Sequence, residues 1–190
     1  MVQQPANKAG SGRSALSFLL SSLDQTELKR PSSPWLIWSS MIVIWLLSLL
    51  PWRLWPPAPD LLLLVIAFWC LNEPHRVGMF TAFVFGLLMD VHDAGLLGAH
   101  ALAYTLVAYG AVTLTRRLQR FNPVVQALHM LPVFLLSEAV ARLMHSWLVG
   151  EWAGWMWVWS MLITVALWPL ADILLLASQR RLDAVDSGQK

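Results

Sequence analysis

This sequence has little charge. Asp, Glu, Lys and Arg make up 13% of its 190 residues, against roughly 25% in soluble domains. The charges it has crowd toward the two ends, and the stretch between is too apolar for a water-facing surface. That excludes a soluble enzyme and a disordered chain. Cysteine is almost missing too. Cys70 stands alone, so no internal disulfide can form and a disulfide scaffold is excluded. The net charge of +2 is too small to imply a nucleic-acid partner. Catalytic motifs are also lacking. There is no paired-His zinc helix, no Ser flanked by glycines and no phosphate-cradling glycine loop. Ser137 beside Glu138 has no evident base. The expectation is a non-enzyme with no catalytic residues, no cofactor and no metal.

What is present is hydrophobicity, at 57% of residues. A helix crosses a bilayer with about 20 apolar residues. Six segments approach that pattern: 35–50, 58–71, 77–91, 99–115, 123–149 and 155–178. None alternates as the strands of a membrane barrel do. The expected fold class is an all-α polytopic membrane protein with six transmembrane helices and both termini cytoplasmic. The second and third segments are short. They fit either a re-entrant pair or short helices where the bilayer thins.

Basic residues orient the chain, because cytoplasmic loops collect Lys and Arg. Lys8, Arg13, Lys29, Arg30, Arg76, Arg116, Arg117, Arg120, Arg180, Arg181 and Lys190 fall on one side of this layout. Arg53 alone falls opposite, and Arg142 lies within the fifth segment. Tryptophans favour the headgroup level. Trp35 and Trp38 would mark the inner interface; Trp52, Trp55, Trp147, Trp152 and Trp155 would mark the outer one. Most of the twelve tryptophans read as lipid-facing anchors. The organisation expected is a cytoplasmic extension over 1–34, a membrane domain over 35–178 and a short tail over 179–190. Within the extension, 15–23 reads as an interfacial amphipathic helix or part of a disordered tail. No small-residue cleavage site follows it, which argues against a signal peptide.

Charge inside a membrane segment needs a reason. Glu138 and Arg142 are four residues apart, hence on one helical face. Counted from the outer end of the segment, they lie roughly 16 Å and roughly 10 Å deep. Two readings fit: a self-neutralising pair facing the bundle, or a polar contact site for a partner helix or a solute. His100, Tyr104 and Asp90 join them as candidates for lining a polar outer cavity. On the cytoplasmic side, His129 and Asp172 lie at similar depth, either paired across helices or separate in a wet vestibule. Arg116, Arg117 and Arg120 set topology or dock partners or anionic lipid, the last at roughly 1 kcal/mol per basic residue.

The loop from Asp90 to His100 holds two Asp and two His, which invites a metal. A structural turn is preferred, with Gly95 and Gly98 bending the chain and Asp90 or Asp93 capping the next segment. Gly78, Ala82 and Gly86 recur every four residues, a face that lets helices approach closely. Internal packing is preferred there over a dimer seam.

Three stretches carry a family resemblance. They are Asn72-Glu73-Pro74-His75-Arg76-Val77-Gly78, then Ala82-Phe83-Val84-Phe85-Gly86-Leu87-Leu88-Met89-Asp90-Val91, then Gly95-Leu96-Leu97-Gly98-Ala99-His100-Ala101-Leu102-Ala103-Tyr104. In order and spacing this block resembles the rod shape-determining protein MreD family, over about 35–181. The resemblance implies a bacterial inner-membrane component of the cell-elongation machinery. It implies partnership with an MreC-like bitopic protein, MreB filaments, RodA and its penicillin-binding protein, beside membrane lipids. It implies no catalytic residues. A fold similar to substrate-binding subunits of energy-coupling-factor transporters supplies the rival expectation, a small-solute binder. Nothing carries over to residues 1–34.

Overall fold

The structure is a computed structural model. It describes residues 33–51, 58–94, 97–151, 154–175 and 177–178, all within one compact unit. The expected N-terminal extension, the C-terminal tail with Arg180, Arg181 and Lys190, and the anchors Trp52, Trp55 and Trp152 lie outside the described residues.

Among the described residues every regular element is helical. The order is α1 (Pro34–Ser48), α2 (Leu61–Asn72), α3 (Met79–His92), α4 (Ala99–Leu118), α5 (Pro123–Val149) and α6 (Met156–Ala166). Local chemistry sets several of the ends. Pro34 and Pro123 open α1 and α5, where a missing N–H costs nothing. Asp60 caps α2 by accepting from the Leu63 N–H at 3.1 Å. Gly150 closes α5 at φ +79°, a conformation that favours glycine. The last segment was expected as one helix over 155–178. Instead α6 stops at Ala166, turns at Leu167 and resumes over 168–175. Pro169 explains the break, since it cannot donate to the Val165 carbonyl one turn back.

Two helices organise the packing. α4 lies against α2, α3 and α5; α2 lies against α1, α4 and α6. Helix α2 is apolar all round and is buried from Leu62 to Leu71. A helix with no polar face must be enclosed by something apolar, and here the enclosure is protein. Two of the twelve tryptophans belong to this interior and not to the lipid-facing surface. Trp69 and Trp168 are fully buried. Their indole N–H groups donate to Ser40 Oγ at 3.0 Å and Gln126 Oε1 at 3.3 Å, as a buried indole requires. Trp35 and Trp147 do face outward, at 83% and 84% exposure.

The outer surface is largely apolar. Pro123–Val149 and Met156–Leu175 are long and apolar enough to cross a membrane, yet only 33% and 22% of their apolar windows are buried. A soluble protein's core helix would be mostly enclosed, so these faces fit a membrane protein. Pro34–Ser48, Leu61–Asn72 and Met79–His92 are apolar but shorter.

The helix ends differ in charge. Gln119 Nε2 donates to the Leu71 carbonyl, tying the end of α4 to the end of α2. Gln126 Nε2 donates to the Leu118 and Phe121 carbonyls. These bonds gather Arg76, Arg116, Arg117 and Arg120 at one end of the bundle. Arg116 and Arg117 occupy the last turn of α4, where cations complement the helix dipole. The opposite end, around the α3–α4 turn, carries Asp90 and Asp93.

Candidate functional site beside the α3–α4 turn

Helix α4 starts without a side-chain cap of its own, since its N-cap is Gly98 at φ +104°. Asp90, near the end of α3, supplies the acceptors instead. Its Oδ2 accepts from the backbone N–H of Gly98 at 2.8 Å and Ala101 at 3.2 Å. Its Oδ1 accepts from the His100 N–H at 2.8 Å and from His100 Nδ1 at 3.0 Å. A carboxylate only accepts, so Nδ1 carries the proton in this bond. Asp90 is 2% exposed. A buried anion against a helix N-terminus is well placed electrostatically. The turn is therefore built by one carboxylate that joins two helices.

Close helix contact makes that reach possible. Ala82 and Gly86 are buried on the face of α3 that meets α4. A Cβ on Gly86 would lie 2.5 Å from the Ala101 Cα and 2.8 Å from the His100 carbonyl carbon. On the other side of α4, a Cβ on Gly110 would strike Val133 of α5.

Helix α5 then closes a cleft against this turn. The cleft holds about 180 Å³ and is lined by Asp90, Asp93, His100, Glu138, Arg142 and His145, with Ala99 and Ala141. Arg142 Nε donates to Glu138 Oε1 at 2.8 Å. The Glu138 side chain is 10% exposed and that of Arg142 is 42% exposed. His100 Nε2 stands 3.6 Å from Asp93 Oδ2. His145 turns a buried Nδ1 to no hydrogen-bond partner. Glu138 thus shares a cleft with the α3–α4 turn. A depth counted down α5 measures distance from that helix's own end, and α5 extends past its neighbours. Glu138→Ala is expected to lower stability by about 1–2 kcal/mol, because it leaves Arg142 partnerless. Arg116→Ala, on an exposed side chain, is expected to change it by less than about 0.5 kcal/mol. Thermal unfolding of both variants in detergent, at matched expression, checks the contrast.

Four of the five polar-cavity candidates line this cleft, namely Asp90, His100, Glu138 and Arg142. Tyr104 is not among its lining residues, and the correction has a physical cause. Its ring is fully buried one turn below His100, edge-on to that imidazole. Its O–H donates to Asp60 Oδ2 at 2.8 Å. The Asp60 N–H in turn donates to Thr164 Oγ1 at 2.9 Å. This cluster pins the start of α2 to α4 and α6. Tyr104→Phe is expected to cost about 2 kcal/mol, the range for a bond to a charged acceptor. Tyr109→Phe, on a ring 58% exposed, is expected to be silent in the same unfolding assay.

The candidates expected on the cytoplasmic side lie on α4, just beyond it, on α5 and in the last helix. Arg116, Arg117 and Arg120 are exposed. His129 places Nδ1 2.8 Å from the Val125 carbonyl of its own helix and stacks on Phe121. Asp172 is half-buried in the resumed part of the last helix. Among the described residues no group of three or more His, Cys, Asp or Glu is placed to hold a metal ion.

Sequence reasoning missed Asp60, Thr164, Gln126 and His145. Two of these had a signal. Asp60 directly precedes the leucine run, an N-cap position. His145 follows Glu138 by seven residues and Arg142 by three, which is one helical face. Thr164 and Gln126 had none, because the partners that join them to other helices, Asp60 and Trp168, lie far off in the chain.

One comparison with known proteins identifies a relative class. The family model described as rod shape-determining protein MreD matches residues 29–177. The comparison with curated proteins returned no match, and neither did that with solved structures.

Proposed function

The chain belongs to the MreD family of rod shape-determining proteins, and from that premise we propose that it is a non-catalytic scaffold of the bacterial cell-elongation machinery. In this reading it sits in the inner membrane, with six helices inserted and both termini in the cytoplasm. It organises peripheral wall synthesis beside an MreC-like bitopic protein, MreB filaments, RodA and a penicillin-binding protein. The observation that carries the reading is the family match together with outward-facing apolar helices joined by short loops. Such a molecule meets partners chiefly at membrane level.

The end that gathers Arg76, Arg116, Arg117 and Arg120 then faces the cytoplasm. The cleft beside the α3–α4 turn faces outward. A reporter that works only outside the cytoplasm, fused to either terminus, should stay silent; a strong signal from it would overturn this orientation. Depletion of the protein should turn rod-shaped cells round. Rods that persist after clean deletion, with no second copy of the gene, would remove the scaffold reading.

The cleft also supports a second reading, a small-solute binder. The polar cleft alone holds about 180 Å³, below the roughly 300–1,000 Å³ of sites for drug-sized ligands. A broad panel of vitamins and small anions should give no thermal stabilisation of the folded protein.

A further inference from the structure

The polar cleft shares a wall with an apolar groove. Ala99, Ala141 and His145 line both. The groove holds about 350 Å³ and continues along Phe83, Leu102, Met144 and Leu148. The groove includes Leu97, Gly98 and Leu148 at the bundle end, and Phe83, seven residues before Asp90 on α3, carries it about 10 Å below the level of Asp90. A polar compartment near the end of the bundle thus opens beside an apolar channel toward its middle.

The cleft presents unmatched groups of both signs. Arg142 uses Nε on Glu138, and its terminal nitrogens make no further bond among the described residues. Glu138 receives that bond on Oε1, and its Oε2 makes none among the described residues. His145 lines the same cleft, with its Nδ1 buried and unpartnered. Asp90 does not take part, because its oxygens already hold the α4 backbone. The guanidinium edge fits an anionic oxygen group, and the free carboxylate oxygen fits an N–H donor, best an ammonium.

One membrane component combines these with an apolar tail. We propose that cleft and groove together hold one ethanolamine phospholipid. Its phosphate lies on Arg142 and His145, its ammonium on Glu138, and one acyl chain in the groove. Phosphatidylglycerol brings no ammonium to Glu138. A free zwitterion leaves the groove unfilled. A partner helix with an apolar face fills the groove but leaves both cleft groups unmatched. The proposal rests on the membrane reading above and is independent of the scaffold role.

The test is native mass spectrometry of the full chain in detergent. Phosphatidylethanolamine, phosphatidylcholine and phosphatidylglycerol with matched acyl chains are added in turn. Phosphatidylethanolamine adducts should exceed the other two about tenfold, the effect of one charge-assisted hydrogen bond. The double variant Glu138→Gln, Arg142→Gln removes both charges, so neither is stranded. With helicity checked by circular dichroism, it should bring the three lipids level. Met144→Trp, at a side chain 51% exposed, should block the groove without touching the core and abolish the adduct. Equal retention of all three lipids by the unaltered protein would overturn the proposal. So would the absence of any lipid adduct, or a preference that survives both variants. A photo-crosslinker placed at Met144 in cell membranes should capture phospholipid; capture of a protein there would assign the groove to a helix and overturn it. Any of these failures leaves the depletion phenotype untouched, so the lipid site and the scaffold reading fail separately.

Discussion

Gly86→Ala is expected to be among the most damaging single-methyl changes in this protein. Alanine is the better helix former, by about 1 kcal/mol over glycine. On an exposed face the substitution would therefore stabilise α3. At Gly86 the new methyl would sit 2.5 Å from the Ala101 Cα and 2.7 Å from the Ala101 nitrogen. These are backbone atoms, which cannot rotate away as a side chain can. The helices must separate, and overpacking of this kind costs about 1–3 kcal/mol or more. Separation would also pull Asp90 from its backbone partners, since Asp90 lies one turn further along the same face. The control is Gly78→Ala. There the nearest heavy atom is the Pro74 carbonyl oxygen at 3.9 Å, an ordinary contact. Unfolding midpoints in detergent should fall sharply for Gly86→Ala and stay near the parent value for Gly78→Ala. Equal midpoints would mean that the small-residue face of α3 is not a packing requirement.

Asp90→Asn should be nearly as severe as Asp90→Ala, although asparagine keeps the shape. The amide offers one acceptor oxygen where the carboxylate offers two. Whichever way it turns, an NH2 group faces an N–H donor, from Gly98 and Ala101 in one orientation or His100 in the other. Each buried donor left unsatisfied costs about 1–3 kcal/mol, so a total near 3 kcal/mol is expected. The site is 2% exposed, so water does not readily replace the lost acceptor. Hydrogen exchange at the first turn of α4 is the direct readout, with faster exchange in both variants. If Asp90 served a ligand rather than the turn, Asp90→Asn would fold normally and α4 would stay protected.

Much of the helical order was legible from the residues. The fifth segment, expected over 123–149, is helix α5 with the same limits, because Pro123 and Gly150 are strong punctuation at either end. The clustering of Arg76 with Arg116, Arg117 and Arg120 followed from spacing alone. The Glu138–Arg142 bond followed from the helical repeat. What escaped was contact between residues far apart in the chain. Tyr104 was expected to line the outer cavity beside His100, but its hydroxyl meets Asp60 across the bundle.

The amino-acid sequence by itself determined that this chain forms apolar helices with one basic end, because periodicity, caps and charge placement act over a few residues. Only the tertiary structure decided which apolar faces meet protein and which stay outward. Leu61 to Asn72 is the clearest case: its apolar run says only that it avoids water, yet α2 is the enclosed central helix. Lipid and protein interior are equally apolar environments, so hydrophobicity cannot tell them apart. That distinction comes from where Asp60 finds Tyr104, and where Trp69 finds Ser40.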